Sequence, residues 1–250
     1  MSHDIVYILK NGINSEELRY SLRSVEANFP YNKIWFYGGV PTNVKPDRQV
    51  EVVQKGEKSW DKTFYTIKQV LQNDEITEDF WLFNDDFFVM KKIEGDIPPY
   101  VNGSIARRVD YLKTKYNKES HYAKRLKDTA HFLKVNNYDR LSYALHIPML
   151  INREKANKMV GIFGDKCTMF RSVYGNVNKI GGVIRKDVKI TRLDVEPDPD
   201  SDFLSTHENS FREGRVGIFI KNSFPDPIWR EIDDNQSRAS EVSSCVEQNN

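Results

Sequence analysis

The residues best suited to chemistry are two adjacent carboxylates, Asp85 and Asp86. With Asn84 they follow an apolar run at 80–83 and precede Phe87, Phe88 and Val89. Neighbouring carboxylates at the mouth of a hydrophobic strand repel one another and are costly to desolvate. A divalent cation removes that penalty, and hard oxygen ligands suit Mg²⁺ or Mn²⁺. Asn-Asp is also ordinary turn chemistry, but apolar runs on both sides favour a working metal site. Arg19 and Arg23 lie four residues apart on one face of an expected helix. They suit a phosphate clamp, and the plainer alternative is a solvated face or pairing with Glu26. His146 and His207 are general-base candidates near neutral pH, with Glu208 as the carboxylate alternative beside His207. A lone histidine is more often structural.

The elements that must position these groups follow from periodicity. An apolar strand at 4–9 leads to a turn and to a helix capped by Ser15 and running to about Asn28. Glu16 and Glu17 occupy its first turn, where the helix dipole favours them, and Leu18, Leu22 and Val25 share its core face. Strands at 33–37 and 49–53 follow, then a helix over 60–71 capped by Ser59, which leads into the central strand at 80–83. That strand, apolar on both faces, reads as a buried parallel type. Strand, helix, strand, strand, helix, strand within 90 residues predicts an α/β fold with an open, mostly parallel sheet and helices on both faces. Ligands in such sheets bind beyond the carboxyl ends of the strands. Gly12, Gly38-Gly39, Gly56 and the acidic pair all follow strand ends. No G-x-G-x-x-G or G-x-x-x-x-G-K-[ST] is present, which counts against dinucleotide or P-loop binding.

After Pro98-Pro99 a basic, aromatic-rich helical segment covers about 103–135. It reads first as a solvated face over a packed stripe, and second as an acceptor surface. A helix over 153–163 and a late strand over 183–190 follow. Residues 233–250 are polar, lack periodicity and are expected to be a disordered tail, leaving one domain over 1–232.

At 250 residues, with 39% hydrophobic and 29% charged residues, the chain is that of a globular protein able to bury a large core. A net charge of +1 excludes a whole-chain basic field for nucleic acid. Two cysteines, Cys167 and Cys245, are too few and too distant to make a disulfide framework or zinc site. The N-terminus reads as neither signal peptide nor anchor, and no apolar run approaches the ~20 residues of a membrane span. A cytoplasmic location is therefore expected.

Four segments together resemble the Stealth family of sugar-phosphate transferases, which includes bacterial capsule polymerases and the animal GlcNAc-phosphotransferase. The first is Glu17-Leu18-Arg19-Tyr20-Ser21-Leu22-Arg23-Ser24, and the second is Phe83-Asn84-Asp85-Asp86-Phe87-Phe88. The third is His146-Ile147-Pro148, and the fourth is Asn222-Ser223-Phe224-Pro225-Asp226-Pro227 ending in Glu231. The resemblance implies a GT-A-like nucleotide-sugar fold. It implies Arg19, Ser21, Arg23 and Asn84 on the donor side, and Asp85 and Asp86 on the metal. Where the family's opening strand leads to an Asp, this chain reads Leu9-Lys10-Asn11-Gly12. The expected activity is therefore metal-dependent glycosyl transfer from a nucleotide-activated sugar, with Stealth-type sugar-1-phosphate transfer as the alternative. A metal-dependent phosphoesterase or nuclease, or a non-catalytic carbohydrate-binding module, stands behind both. The acceptor stays open among cell-surface polymer, glycolipid, protein and modified nucleic acid.

Overall fold

The structure is a computed structural model and describes residues 2–11, 15–116 and 120–232. In chain order the elements are β1 (Asp4–Leu9), α1 (Glu16–Asn28), β2 (Ile34–Gly38), β3 (Arg48–Glu51), α2 (Ser59–Leu71), β4 (Asp79–Asn84) and β5 (Phe87–Val89). They continue as β6 (Tyr100–Val101), α3 (Ile105–Tyr116), α4 (His121–Val135), β7 (Met149–Asn152), α5 (Arg153–Phe163) and α6 (Phe170–Val177). The chain ends with β8 (Val183–Ile184), β9 (Lys189–Ile190), β10 (Phe203–Thr206), α7 (Glu208–Glu213) and α8 (Arg215–Ser223). The fold is mixed α/β, and its central sheet is mostly parallel. Two compact units divide the chain: 1–53 with 84–93 and 190–250, and 54–83 with 94–189. The expected tail at 233–250 and Gly12 lie outside the described residues.

In the first unit β1 runs parallel to β2, and β2 parallel to β3. All six residues of β1 are buried, which explains its near-continuous apolar run. Asp4, also buried, accepts from Asn32 Nδ2 at 2.7 Å and Trp35 Nε1 at 2.8 Å, so its charge is hydrogen-bonded inside the core. Ser15 caps α1 as expected, accepting from the Leu18 amide at 3.3 Å. Farther along the chain, β5 pairs antiparallel with β10 through Phe87↔Ser205 and Phe88↔Leu204. Its backbone is also held by α1. Ser21 Oγ donates to the Phe87 carbonyl at 2.5 Å, Val89 N–H donates to Ser24 Oγ at 3.0 Å, and Asn28 Nδ2 donates to the Val89 carbonyl at 2.8 Å. Phe88 stacks on Phe211 in the cluster completed by Leu204, Val216 and Ile220.

In the second unit β4 pairs antiparallel with β7, from Asp79↔Asn152 to Leu82↔Met149. On this side β4 departs from the reading of it as a parallel-type strand, because apolarity on both faces reports burial and carries no strand direction. The α3/α4 pair buries Ile105, Val109, Leu112, Ala123, Leu126 and Leu133, while Arg107, Lys113, Lys115 and Lys124 face solvent. The packed-stripe reading of that basic segment thus describes it. Two smaller expectations are corrected. Lys58, not Ser59, is the N-cap of α2, and the expected strand at 183–190 is two short strands, β8 and β9. Two-residue strands have too few alternating positions for a pattern to resolve.

Candidate functional site

Asp85 and Asp86 form the two-residue turn between β4 and β5 in the first unit, with Asn84 half-buried at the end of β4. Asp86 is 9% exposed, and its Oδ2 accepts from Ser205 Oγ on β10 at 3.1 Å. That bond needs the β5–β10 register, which sets Ser205 opposite Phe87. Asp85 is half-buried, and its charge is felt at Tyr7 of β1, whose phenol is pushed well up, above all by burial. Next on β10, Thr206 Oγ1 donates to Glu17 Oε1 at 2.5 Å, at the start of α1. Glu17 was read from sequence only as a first-turn acid of α1 and part of a resembling segment, and Ser205 and Thr206 were not singled out by sequence reasoning. Their signal is a polar Ser-Thr pair closing an otherwise buried strand.

His207 and Glu208 follow directly and are exposed. Backbone at His207 is still extended (φ −110°, ψ 150°). Side-chain alternation along an extended chain then places His207 on the face of Ser205, about 7 Å farther along. The His207 N–H donates to Ser210 Oγ at 2.9 Å, tying the strand exit to α7. At the ends of β1 and β2 the loops touch. A Cβ on Gly39 would sit 2.3 Å from the Lys10 carbonyl oxygen, so the contact needs glycine.

The donor-side candidates part company. Ser21 is fully buried, and its hydroxyl is shared between the Phe87 carbonyl and Tyr7 Oη at 2.9 Å, so it fastens α1 to the sheet and does not face a ligand. Arg23, 7% exposed, is likewise committed inward. Its Nε and Nη2 reach the two Glu231 oxygens at 2.6 and 2.8 Å, and its Nη1 donates to the Phe224 and Pro225 carbonyls. The phosphate-clamp role expected for Arg23 is corrected accordingly: a short helix on a sheet has one inward face, and Arg23 is on it. Burial, the largest single influence, favours neutral Glu231, but the Arg23 hydrogen bonds and charge, with Arg19 adding to them, hold its carboxyl below the ordinary value. Arg19 keeps 25% of its side chain exposed, with Nη1 3.1 Å from Glu16 and Nε 3.6 Å from Glu231.

His146 belongs to the second unit. Its Nδ1 lies 3.0 Å from both Asp187 oxygens, and its backbone N–H donates to the same carboxylate at 3.1 Å. Arg108 Nη2 is 3.6 Å from Asp187 Oδ2. Burial is the largest influence on Asp187 and acts upward, but the His146 bonds and the Arg108 charge together hold its carboxyl below the ordinary value. An imidazole oriented by a carboxylate in this way has a fixed tautomer. A pocket of about 230 Å³ also lies in the second unit, between β4, β7, α6 and the Pro98-Pro99 loop, and none of the sequence-derived candidates lines it.

The fit of a divalent cation follows from the donor set. Among the described residues no three His, Cys, Asp or Glu side chains gather into a metal-binding group. An all-protein cage is thus not what Asp85 and Asp86 offer. One or two carboxylates do suit Mg²⁺ or Mn²⁺ that takes its remaining oxygens from substrate phosphates and water. Compared with known proteins, the chain matches no family model and no characterised relative in sequence.

Proposed function

We propose that the protein transfers a sugar from a nucleotide-activated donor, using Mg²⁺ or Mn²⁺ held at the Asp85-Asp86 turn, on a GT-A-like fold. The observation that carries this reading is the placement of Asp86. It is a nearly buried carboxylate at the end of a sheet strand, bonded to Ser205 of β10, the strand from which the exposed His207 and Glu208 follow. The resemblance of the Asn84-Asp85-Asp86-Phe87-Phe88 segment to the Stealth block supports it.

A bound cation would neutralise charge developing on the leaving diphosphate. The chain's own residues do the rest. Asp86, held by Ser205, keeps one ligand direction fixed, and Asp85 adds the second negative charge. Arg19, reachable from solvent, positions a donor phosphate, while Arg23 and Glu231 hold the α1 helix that carries it. His207, two residues past Ser205, takes the acceptor hydroxyl proton, and Glu208 is the carboxylate substitute for that role. His146, oriented by Asp187, is a second base candidate in its own unit. Glycosyl transfer breaks the anomeric C–O bond and releases the diphosphate. Sugar-1-phosphate transfer uses the same residues, but the acceptor oxygen bonds to the sugar-side phosphorus and the anhydride P–O bond to the nucleoside monophosphate breaks. It is the alternative that the Stealth resemblance favours, and the missing Asp after β1 weighs against it.

The test is hydrolysis of a panel of nucleotide sugars without acceptor, with and without Mn²⁺. Turnover is expected to depend on the metal and to fall by about a hundredfold or more in Asp86→Asn, with the melting temperature retained. Release of a sugar phosphate instead of a free sugar would select the alternative. Full activity in Asp86→Asn, or metal-dependent cleavage of simple phosphodiesters with no nucleotide-sugar turnover, would overturn the reading.

A further inference from the structure

The pocket of the second unit carries a pattern that the transferase reading does not use. Its floor is built on one cross-strand pair. Asp79 on β4 faces Asn152 on β7, and Asn152 Nδ2 donates to Asp79 Oδ1 at 2.9 Å. Asn152 is held on three sides: its Oδ1 also accepts from the Lys155 amide at 3.0 Å as the cap of α5, and its own backbone N–H donates to Tyr174 Oη at 2.8 Å. Tyr174, on α6, is 3% exposed. Its hydroxyl oxygen accepts from Asn152, and among the described residues nothing accepts its proton. Burial above all, with the Asp79 and Glu78 charges adding, keeps that phenol protonated against the Asn152 bond. The Asp79 Oδ2 likewise has no bonding partner among the described residues. An acceptor and a donor therefore stand side by side in the pocket, with Trp81, Tyr100 and Ile180 among its walls. The lining also includes the exposed Lys155, a further donor at the mouth, and Arg171, whose guanidinium is bonded to the Leu82, Leu145 and Ile147 carbonyls.

That pairing selects among ligand chemistries. An apolar ring would bury both polar groups without partners, which is unfavourable. An ammonium would satisfy Asp79 but oppose the Tyr174 proton, since it has no lone pair to accept it. A hydroxyl both donates and accepts, so vicinal hydroxyls match the pair, and the C–H faces of a saturated ring suit aromatic and aliphatic walls. The pocket is small for a drug-sized ligand, which occupies ~300–1,000 Å³, and is on the scale of one ring. We propose that this pocket binds a neutral saccharide ring, one hydroxyl donating to Asp79 and its neighbour accepting from Tyr174. Asn152 is the positioning residue that holds the two together.

Binding needs neither metal nor nucleotide, so its test is separate from that of the transferase reading. The full chain is titrated with methyl glycosides of glucose, galactose, mannose and N-acetylglucosamine. Binding is followed by saturation-transfer NMR on the ligand and by tryptophan fluorescence. At least one glycoside is expected to bind, with the strongest transfer at its ring C–H protons. Its affinity should fall about tenfold in Asp79→Asn and in Tyr174→Phe. Ile180→Trp fills the pocket without touching the polar pair and is expected to abolish binding at an unchanged melting temperature. The proposal is overturned if no glycoside binds the wild-type chain. It is also overturned if binding survives Ile180→Trp, or if tryptamine binds at this pocket and the glycosides do not.

Discussion

The two units solve burial differently. The first is fastened at its C-terminal segment by charge. Arg230, 1% exposed, reaches Glu26 at 2.6 Å and Asp47 at 2.9 Å, and Arg23 reaches Glu231 at 2.6 Å. The second closes its helical segment with an apolar stripe from Ile105 to Leu133. Paired buried charges hold one geometry and fail when one partner is removed, whereas an apolar stripe loses stability in proportion to the volume deleted. The contrast also separates two arginines that look equivalent in sequence. Arg19 and Arg23 share a helix, yet one remains reachable and the other is spent on Glu231 and two carbonyls.

The largest break in this comparison is Arg230→Ala, which removes the buried guanidinium that the half-buried Glu26 and Asp47 share. A loss of about 3–5 kcal/mol is expected in urea denaturation. A loss under 1 kcal/mol would show that the charged fastening is ornamental. Leu126→Ala, in the α3/α4 stripe, is expected to cost about 2–5 kcal/mol by leaving a cavity. This loss should be the same at pH 4 and pH 7, because no ionisable partner is involved. Arg19→Ala should leave stability within about 1 kcal/mol yet weaken nucleotide-sugar binding by about 1.5–3 kcal/mol, measured calorimetrically. If Arg23→Ala weakens binding while leaving the melting temperature untouched, the roles of the two arginines are reversed.

The smallest effect is the most specific. Glu231 has a folded pKa below its unfolded value, so its contribution is fully present at neutral pH. That contribution is lost as pH falls below the ordinary glutamate range of about 4.3 and through the folded pKa. Glu231→Gln should therefore lower stability at pH 7 and flatten the acid limb of the stability curve. An unchanged acid limb would assign it to other carboxylates, with Asp187 the candidate in the second unit.

Local pattern was enough for the early part of the chain. Apolar runs marked β1, β2 and β4, and the Ser15 cap and the Leu18, Leu22, Val25 face marked α1. The helix at 153–163 was read at its observed bounds, and in the structure Asn152 caps it and Gly164 ends it. The acidic turn was also visible, since adjacent carboxylates between apolar strands are uncommon. Legibility ended where function depends on partners far along the chain. Ser205 lies 119 residues from Asp86, and only the antiparallel β5–β10 register brings them within a hydrogen bond.

The sequence by itself thus determined which residues are apolar, that α1 to α5 are helical, and that Asp85 and Asp86 stand at the end of a buried strand. Those properties are written in residue types and in periods of two and 3.6. Tertiary structure alone decided that Arg23 serves Glu231, that Ser21 fastens α1 to β5, and that Asp79, Asn152 and Tyr174 meet in one pocket. Each of these depends on which side of a strand or helix meets which neighbour. A polar side chain carries no mark of its partner until the backbone has closed the distance between them.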